Sequence, residues 1–543
     1  MINDIQFIND SDYTCLEKIV ATIANAYQRN YEMVFMNYWN FRFKSRESAD
    51  NQKIGERIVV RRDRITEQLL QYHGIRAIPE SRCNAAKLLE CITTELAAGR
   101  LVSLKFDQYY LPWATEKNRT VLRSRGSLIV TGIDQRGVHC IDVHGSKRQE
   151  VLPLDCFELG CVTTDGGLVR FLPVHDEVIE ISWDEVVESL VRQITETNMY
   201  DQIRSFAEAI GQDVDFFKES DQAVDIENIT LIKRFKDVCR SRMLFSKTLH
   251  YLALLPINQE IATEILHYEE KFLQISSMWR LIYSTIVKAF YLQRLGSELS
   301  AATEQRVREA AAAEAAVGIA IQQRKPKTKP AERLITEFNP IHEVVSLDLQ
   351  KYYNNKGFAM DSHNSNQADF NGIGGFYLSE SYPANQTFIV NGIDLRFPKL
   401  SCNGNGDNIA CQEQFVTVEA GGEYRLIGVI AAAEGGSFVR ELVVKFSCGD
   451  SETIMLTVTS WADLKSKYGE TLVWEGQAID KPTLSELSKH LPDDQDQREG
   501  FIRIPVKRNL FAKTYPIKTA LPITGIVLPD CPNMHIFGIF FGK

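Results

Sequence analysis

Leu16, Ile19, Val20, Ile23, Ala24 and Tyr27 stand at i, i+3, i+4, i+7, i+8 and i+11, the spacing that puts apolar side chains on one face of a helix. The period predicts a helix over 14–28, with further helical stretches at 63–73 and 84–98. It then gives way to strand-like runs at 101–106, 128–131, 138–143 and 169–172. Gly126, Gly132, Gly137 and Gly145 punctuate them as turn formers. Helices first and an antiparallel sheet afterwards predict an α+β domain over residues 1–178.

From about 183 to 322 the signals are almost all helical. Trp183-Asp184-Glu185-Val186-Val187 opens the region, and amphipathic stretches follow at 230–254, 258–293 and 298–322. The last carries Ala310 to Ala313 in a row, a segment of high helix propensity. The pattern predicts an all-α middle domain over 179–322, a bundle or long hairpin. Arg324-Lys325-Pro326-Lys327-Thr328-Lys329-Pro330 is basic and proline-broken. It predicts a linker across 323–344; the rival is a basic binding patch. From 345 to 543, short runs such as 387–390, 424–430 and 442–446 alternate with Gly, Asn and Asp turns, which predicts an all-β sandwich. About 200 residues can bury a core of their own, so the sandwich is expected to fold independently. The expected architecture is multidomain: α+β, then all-α, then all-β.

Composition narrows the function classes. The chain has 543 residues, 44% hydrophobic and 24% charged, ordinary for globular protein. A formal net charge of -10 argues against a nucleic-acid partner. No apolar run approaches membrane-spanning length. Met1-Ile2-Asn3-Asp4-Ile5 is polar and acidic where a secretory signal is basic and then apolar, so a cytoplasmic location is expected. The 11 cysteines show neither a CxxC pair nor Cys/His zinc spacing. Neither a disulfide framework nor a metal site is expected, and no cofactor is called for.

Thr14-Cys15-Leu16-Glu17 has the Ser/Thr-x-x-Glu form of a capping box. With Thr14 as N-cap, Cys15 is the first helical residue, where the helix dipole lowers a thiol pKa. A cysteine beside an amphipathic helix is also an ordinary core residue. A cysteine nucleophile needs a base and a group to orient that base. His139 precedes Asp142 by three positions and points to the opposite face of a strand, whereas His144, two beyond, shares its face if the strand continues. His73, before Gly74, reads as a C-terminal cap that suits the dipole. Asp107, Tyr109, Tyr110 and Trp113 either cover the core at a strand end or line an acyl or peptide cleft.

Four features occur in order: the Cys15 helix start, Tyr72-His73-Gly74-Ile75, Asp107-Gln108-Tyr109-Tyr110-Leu111-Pro112-Trp113, and a strand–turn–strand ending in Asp142. Together they resemble the N-terminal domain of the butirosin biosynthesis protein H family. These are papain-like relatives of the peptidase C39 group, many encoded with antibiotic and nonribosomal peptide pathways. Ser241-Arg242-Met243-Leu244-Phe245-Ser246 and Trp279 resemble the helical extension of such relatives. The resemblance implies Cys15 as nucleophile and Asp142 as the acid that orients its base. The family histidine belongs at the start of the strand 127–132, where this chain has Arg125-Gly126-Ser127. His144 is then the first substitute, with Asp107, Tyr109, Tyr110 and Trp113 as substrate contacts. The implied function is a biosynthetic tailoring protein that transfers or hydrolyses an acyl, aminoacyl or peptidyl group held as a carrier-protein thioester. The partners would be an acyl- or peptidyl-carrier protein and a small-molecule or peptide substrate. The rivals are a degenerate papain-like shell that docks a carrier protein or nascent peptide, and a carbohydrate-binding protein.

The last rival comes from the C-terminal part. Ala368-Asp369-Phe370-Asn371-Gly372, Gly392-Ile393-Asp394-Leu395-Arg396, Gly406-Asp407-Asn408 and Ser460-Trp461-Ala462-Asp463 resemble galactose-binding-like β-sandwich modules. That resemblance implies a sugar ligand. Asp369, Asn371, Asp394 and Asp407 are either calcium-type oxygen donors or turn residues, and the turn reading is preferred.

Overall fold

The computed structural model describes residues 5–44, 53–60, 64–80, 84–114, 125–143, 147–162, 167–174, 181–212, 214–220, 226–324, 343–359, 368–400, 406–418, 422–480, 504–519 and 521–543. Helix α1 (Cys15–Ala26) starts where the capping box places it. Thr14 is extended, the Glu17 N–H donates to Thr14 Oγ1 at 3.5 Å, and the Thr14 N–H donates back to the Glu17 carboxylate. Glu17 is itself fully buried and takes the Tyr38 hydroxyl at 2.7 Å. Helix α2 (Ile65–His73) ends at Gly74, whose φ of 62° turns the chain straight into strand β1 (Ile75–Glu80).

After α3 (Ala85–Ala97) come β2 (Val102–Asp107), β3 (Arg125–Asp134), β4 (Gly137–Asp142), β5 (Lys147–Leu152), α4 (Leu154–Val162) and β6 (Gly167–Pro173). The six strands form one sheet in the order β1-β6-β2-β3-β4-β5, every neighbouring pair antiparallel. Alternation sorts its faces. Ile129, Ile141 and Phe171 share a core with α1, while Val102, Leu104, Leu128, Val130 and Cys140 pack with Leu88 and Ile92 of α3 and Phe157 of α4. The two outer strands were not predicted. β1 holds Pro79, which an edge tolerates, and β5 is charged.

The middle region is helical as expected: α5 (Trp183–Thr197), α6 (Met199–Gln212), α7 (Thr230–Leu254), α8 (Gln259–Tyr291) and α9 (Ser297–Gln322) are its long helices. One apolar cluster runs from Val20 of α1 and Phe35 through Phe245 and Trp279 to Val307. Inside it, the fully buried Glu314 accepts from Arg242 Nη2 at 2.9 Å and Nε at 3.0 Å, from Trp39 Nε1 at 2.9 Å and from Trp279 Nε1 at 2.7 Å. Arg242 also donates to the Asn40 carbonyl at 2.7 Å. Four donors answer one carboxylate, so this buried pair leaves no charge of its own uncompensated.

Helix α8 is used on two faces. Ile275, Trp279, Ile282 and Ile286 belong to the bundle core. Ser277, Leu281, Ser284 and Lys288, offset around the helix, meet the C-terminal part. Ser277 Oγ accepts the Val439 N–H at 3.1 Å, Leu281 enters the sandwich core, and Lys288 pairs with Glu434.

The C-terminal part is a β-sandwich. Its larger sheet has eight strands: β7 (Val344–Ser346), β8 (Phe358–Ala359), β9 (Phe376–Leu378), β10 (Ile409–Gln412), β12 (Leu426–Ala433), β15 (Thr471–Asp480), β16 (Ile504–Pro516) and β18 (Asp530–Gly542). The smaller has four: β11 (Phe415–Thr417), β13 (Phe438–Phe446), β14 (Ser451–Val458) and β17 (Ile523–Val527). Their inner faces close on Ile427, Val429, Leu442, Leu456, Ile526 and Phe541. The turn from β12 to β13 lies against α8. Gly435 and Gly436 have φ of 70° and 136°, and a Cβ on Gly436 would stand 2.4 Å from Arg280 Cδ. Residues 325–342, most of the expected linker, lie outside the described residues. Arg324, where the basic segment begins, is held by Asp184 and, at 3.0 Å, by Glu264.

Candidate functional site

Cys15 is the first residue of α1 and is half-buried against the main core. Its thiol is not activated as its helix position predicted. Burial pushes the pKa up, Lys18 and the residue's own backbone N–H pull it down, and Asp142 and Glu17 push it up again. The result lies above the ordinary thiol value. Burial therefore outweighs the helix terminus.

Asp142 ends β4 opposite Leu128 and is buried. Its charge is felt at the Cys15 thiol and helps to raise its pKa. Its Oδ2 accepts the Trp113 indole N–H at 2.9 Å. Trp113, a candidate for core cover or for cleft lining, is partly buried against the core and bonds the carboxylate that the resemblance would have orient a histidine. An indole nitrogen only donates and cannot relay a proton.

The strand start where the resemblance would place a histidine is packed by glutamine. Gln108 is buried, and a Cβ on Gly126 would lie 2.6 Å from Gln108 Nε2 and 2.8 Å from its Cγ. A larger side chain at 126 requires Gln108 to move. Asp107 caps the short 3-10 helix Gln108–Tyr110 by accepting the Tyr109 N–H at 3.0 Å. Tyr109 is exposed, and its ring meets that of the half-buried Tyr110 edge-on at 5.1 Å. The segment thus puts Trp113 beside Asp142 and shows Tyr109 to solvent.

The other histidine candidates are placed as follows. His144 lies outside the described residues. His139 Nε2 stands 2.9 Å from Asp134 Oδ2, beside the turn that joins β3 to β4. His73 is not a cationic helix cap. Burial and nearby Arg29 push its pKa down to about 3, and its Nε2 accepts the Met33 N–H at 3.2 Å. A neutral ring that accepts a backbone N–H is a structural element of the core.

In the sandwich, of the oxygens considered for calcium, Asp369 and Asn371 serve a turn, whereas Asp407 clamps a distant stretch of backbone. Asp407 accepts the N–H groups of Gly357 at 2.8 Å and Phe358 at 3.0 Å. Asp369 accepts from Gly374 at 2.8 Å, and Asn371 accepts from Ile373 at 3.2 Å and Gly375 at 2.8 Å. Asp394 is exposed on the strand Ile393–Arg396. A buried polar group missed at the sequence level is Glu434, which is held by Lys288 and Asn533 between α8 and the sandwich. Only the Asp-Phe-Asn-Gly and Gly-Gly turns hinted that chain approaches closely there.

The eight- and four-stranded sheets packed together after residue 343, with a small two-stranded sheet at 387–396, define a β-sandwich domain, as its turn-rich pattern predicted. Residues 342–541 match the family model of the AziU2-like beta-sandwich domain. No curated protein matches the chain. Among the described residues, no helix is long and apolar enough to cross a membrane.

Proposed function

We propose that this chain acts in natural-product biosynthesis and takes an acyl, aminoacyl or peptidyl group from a carrier-protein thioester onto Cys15. The AziU2-like match over 342–541 and the likeness of residues 1–178 to the butirosin biosynthesis protein H family support the pathway. A cysteine-led helix on an antiparallel sheet supports a papain-like N-terminal half.

The observation that carries the reading is the Trp113–Asp142 bond, made by a carboxylate whose charge reaches the Cys15 thiol, with Gly126 and Ser127 where the resemblance would place a histidine. Amide cleavage requires a proton for the departing amine. Thioester exchange does not, because the leaving group is a thiol with a pKa of about 8.5. Cys15 Sγ bonds to the carbonyl carbon, the carbon–sulfur bond to the carrier arm breaks, and the proton lost by Cys15 ends on the departing thiol. A nucleophilic amine or hydroxyl, or water, then takes the acyl group and restores the cysteine.

Incubation with an acyl-pantetheine or acyl-carrier thioester, followed by intact mass, tests the reading. The expected result is an acyl adduct mapped to Cys15 and absent from Cys15→Ala. An adduct-free chain would sink it.

The raised thiol pKa favours a second reading, a papain-like shell that binds the carrier or its cargo without a covalent step. Binding of the carrier without mass gain would select it.

A further inference from the structure

Residues 10–12, the arm that leads into α1, are gripped from outside the N-terminal region. Lys467 of the sandwich donates from Nζ to Asp12 Oδ2 at 2.9 Å, to Ser11 Oγ at 2.8 Å and to Asp10 Oδ1 at 3.3 Å. Arg280 of α8 stands 3.6 Å from Asp12, and Lys247 of α7 pairs with Asp10. The arm is folded to receive them: the Asp12 N–H donates to Asp10 Oδ1 at 2.8 Å and the Tyr13 N–H to the Asp10 carbonyl at 3.1 Å. Thr14 and Cys15 follow at once.

The contact is built from both sides. Asp12 is buried, and Lys467 is largely so. Burial pushes the Asp12 carboxyl up, but Arg280, Lys467 and Lys247 more than reverse it and hold it well below the carboxylate range. The loop that presents Lys467 is itself fixed. The Lys467 N–H donates to Thr459 Oγ1 at 2.9 Å, while Thr459 Oγ1 and the Tyr468 N–H donate to the buried Glu470 at 2.9 and 3.0 Å. A lysine so placed is costly to leave unpaired, which separates it from a surface charge.

We infer that the sandwich is part of the cysteine site, with Lys467 the positioning residue that fixes the arm 10–12 and, through it, the start of α1 and the setting of Cys15. The inference rests on the reading of Cys15 as the reactive group.

The test is the pH profile of Cys15 alkylation by iodoacetamide in the full chain, followed by peptide mass. In Lys467→Met the arm loses its hold on the sandwich and loosens, and the thiol gains water. Its rate at pH 8 is expected to rise about fivefold, the factor that ~1 kcal/mol gives. The midpoint of the profile should fall toward the ordinary thiol value. Lys467→Arg keeps the charge and should restore the wild-type profile. Lys271→Met removes a bundle–sandwich ion pair that does not touch the arm and should change nothing. A wild-type profile in Lys467→Met, or the same shift in Lys271→Met, would overturn the inference.

Should Lys467→Met not fold, hydrogen exchange on the wild-type chain decides. The amides of Asp12 and Tyr13 are expected to open with those of Lys467 and Tyr468, whereas exchange at the free-chain rate would sink the coupling. A shifted alkylation profile in a chain that forms no acyl adduct would retain the positioning role and reject only the acyl-transfer function.

Discussion

The bundle makes two joints, one with the N-terminal region and one with the sandwich, and they are built differently. Toward the N-terminus the apolar core is continuous, and the Arg242–Glu314 pair is fully buried with two indole donors on the same carboxylate. Toward the sandwich the contact is mostly polar. Leu281 enters the sandwich core, flanked by the polar contacts of Ser277, Gln274, Lys271 and Lys288. The first joint is made as a protein interior is made. The second resembles an interface between domains, more polar and more responsive to solution conditions. What joins the helices to the cysteine region is part of folding, and what joins them to the sandwich is adjustable.

The sharpest way to break that contrast is at Glu314. Glu314→Ala strands Arg242 and two indole N–H groups in the core, so the fold is expected to lose about 3–5 kcal/mol. Chemical denaturation should show Trp39 and Trp279 exposed in the same transition, since both donate to that carboxylate. A loss under 1 kcal/mol would make this joint no stronger than the other.

The second joint should respond to pH through Glu434. Burial raises this carboxyl from 4.5 to about 7; Lys288 opposes the shift, and Asp369 and Asp480 add to it. Between pH 4.5 and 7 the folded chain holds a proton that the unfolded chain has released. Stability is then present below 4.5 and lost as pH rises through 7, by up to about 3 kcal/mol. Glu434→Gln should flatten that dependence in urea titrations at pH 5 and pH 7.5. An unchanged slope would assign the dependence to other groups.

A smaller effect is expected at the turn beneath α8. Gly436→Ala puts a methyl within 2.4 Å of Arg280 Cδ at a φ of 136°, at a cost of about 1–3 kcal/mol. Thermal melts followed at the sandwich should shift down. The least effect belongs to Lys271→Ala. Its 3.8 Å pair with Glu441 is solvent-exposed, so a change within about 0.5 kcal/mol is expected by the same melts.

The long helices were legible because each repeats its period many times. α7, α8 and α9 fall within about two residues of the bounds that spacing predicted, the ordinary uncertainty of helix ends. The capping box placed α1 to the residue, since Thr14 and Glu17 act locally. The sheet edges were illegible for the opposite reason: Pro79 and the charges of β5 suit an edge and resemble loop. The Glu314 knot joins Trp39, Arg242 and Trp279 across separations of 275, 72 and 35 residues and leaves no local mark. At the candidate site, Gly126 and Ser127 where the resemblance would place a histidine were readable in the sequence. That Trp113 bonds Asp142 and that Gln108 fills the space at Gly126 was not, because each is a contact between segments. The direction of the Cys15 shift was missed because a helix start is visible in sequence and the depth of burial is not.

Helix α8 spends its 277–288 stretch on three clients at once: Trp279 on the Glu314 knot, Arg280 on the arm before Cys15, and Ser277, Leu281 and Lys288 on the sandwich. Angle around a helix advances about 100° per residue. One residue inserted at 278 would leave the helix as stable in isolation, yet turn Trp279, Arg280, Leu281 and Lys288 together by about 100° against the segment before them. Length in this stretch is therefore a shared clock. Point substitutions can drift one joint at a time, but insertions and deletions would mis-set several together, so related chains are expected to vary in composition here and hold the residue count fixed.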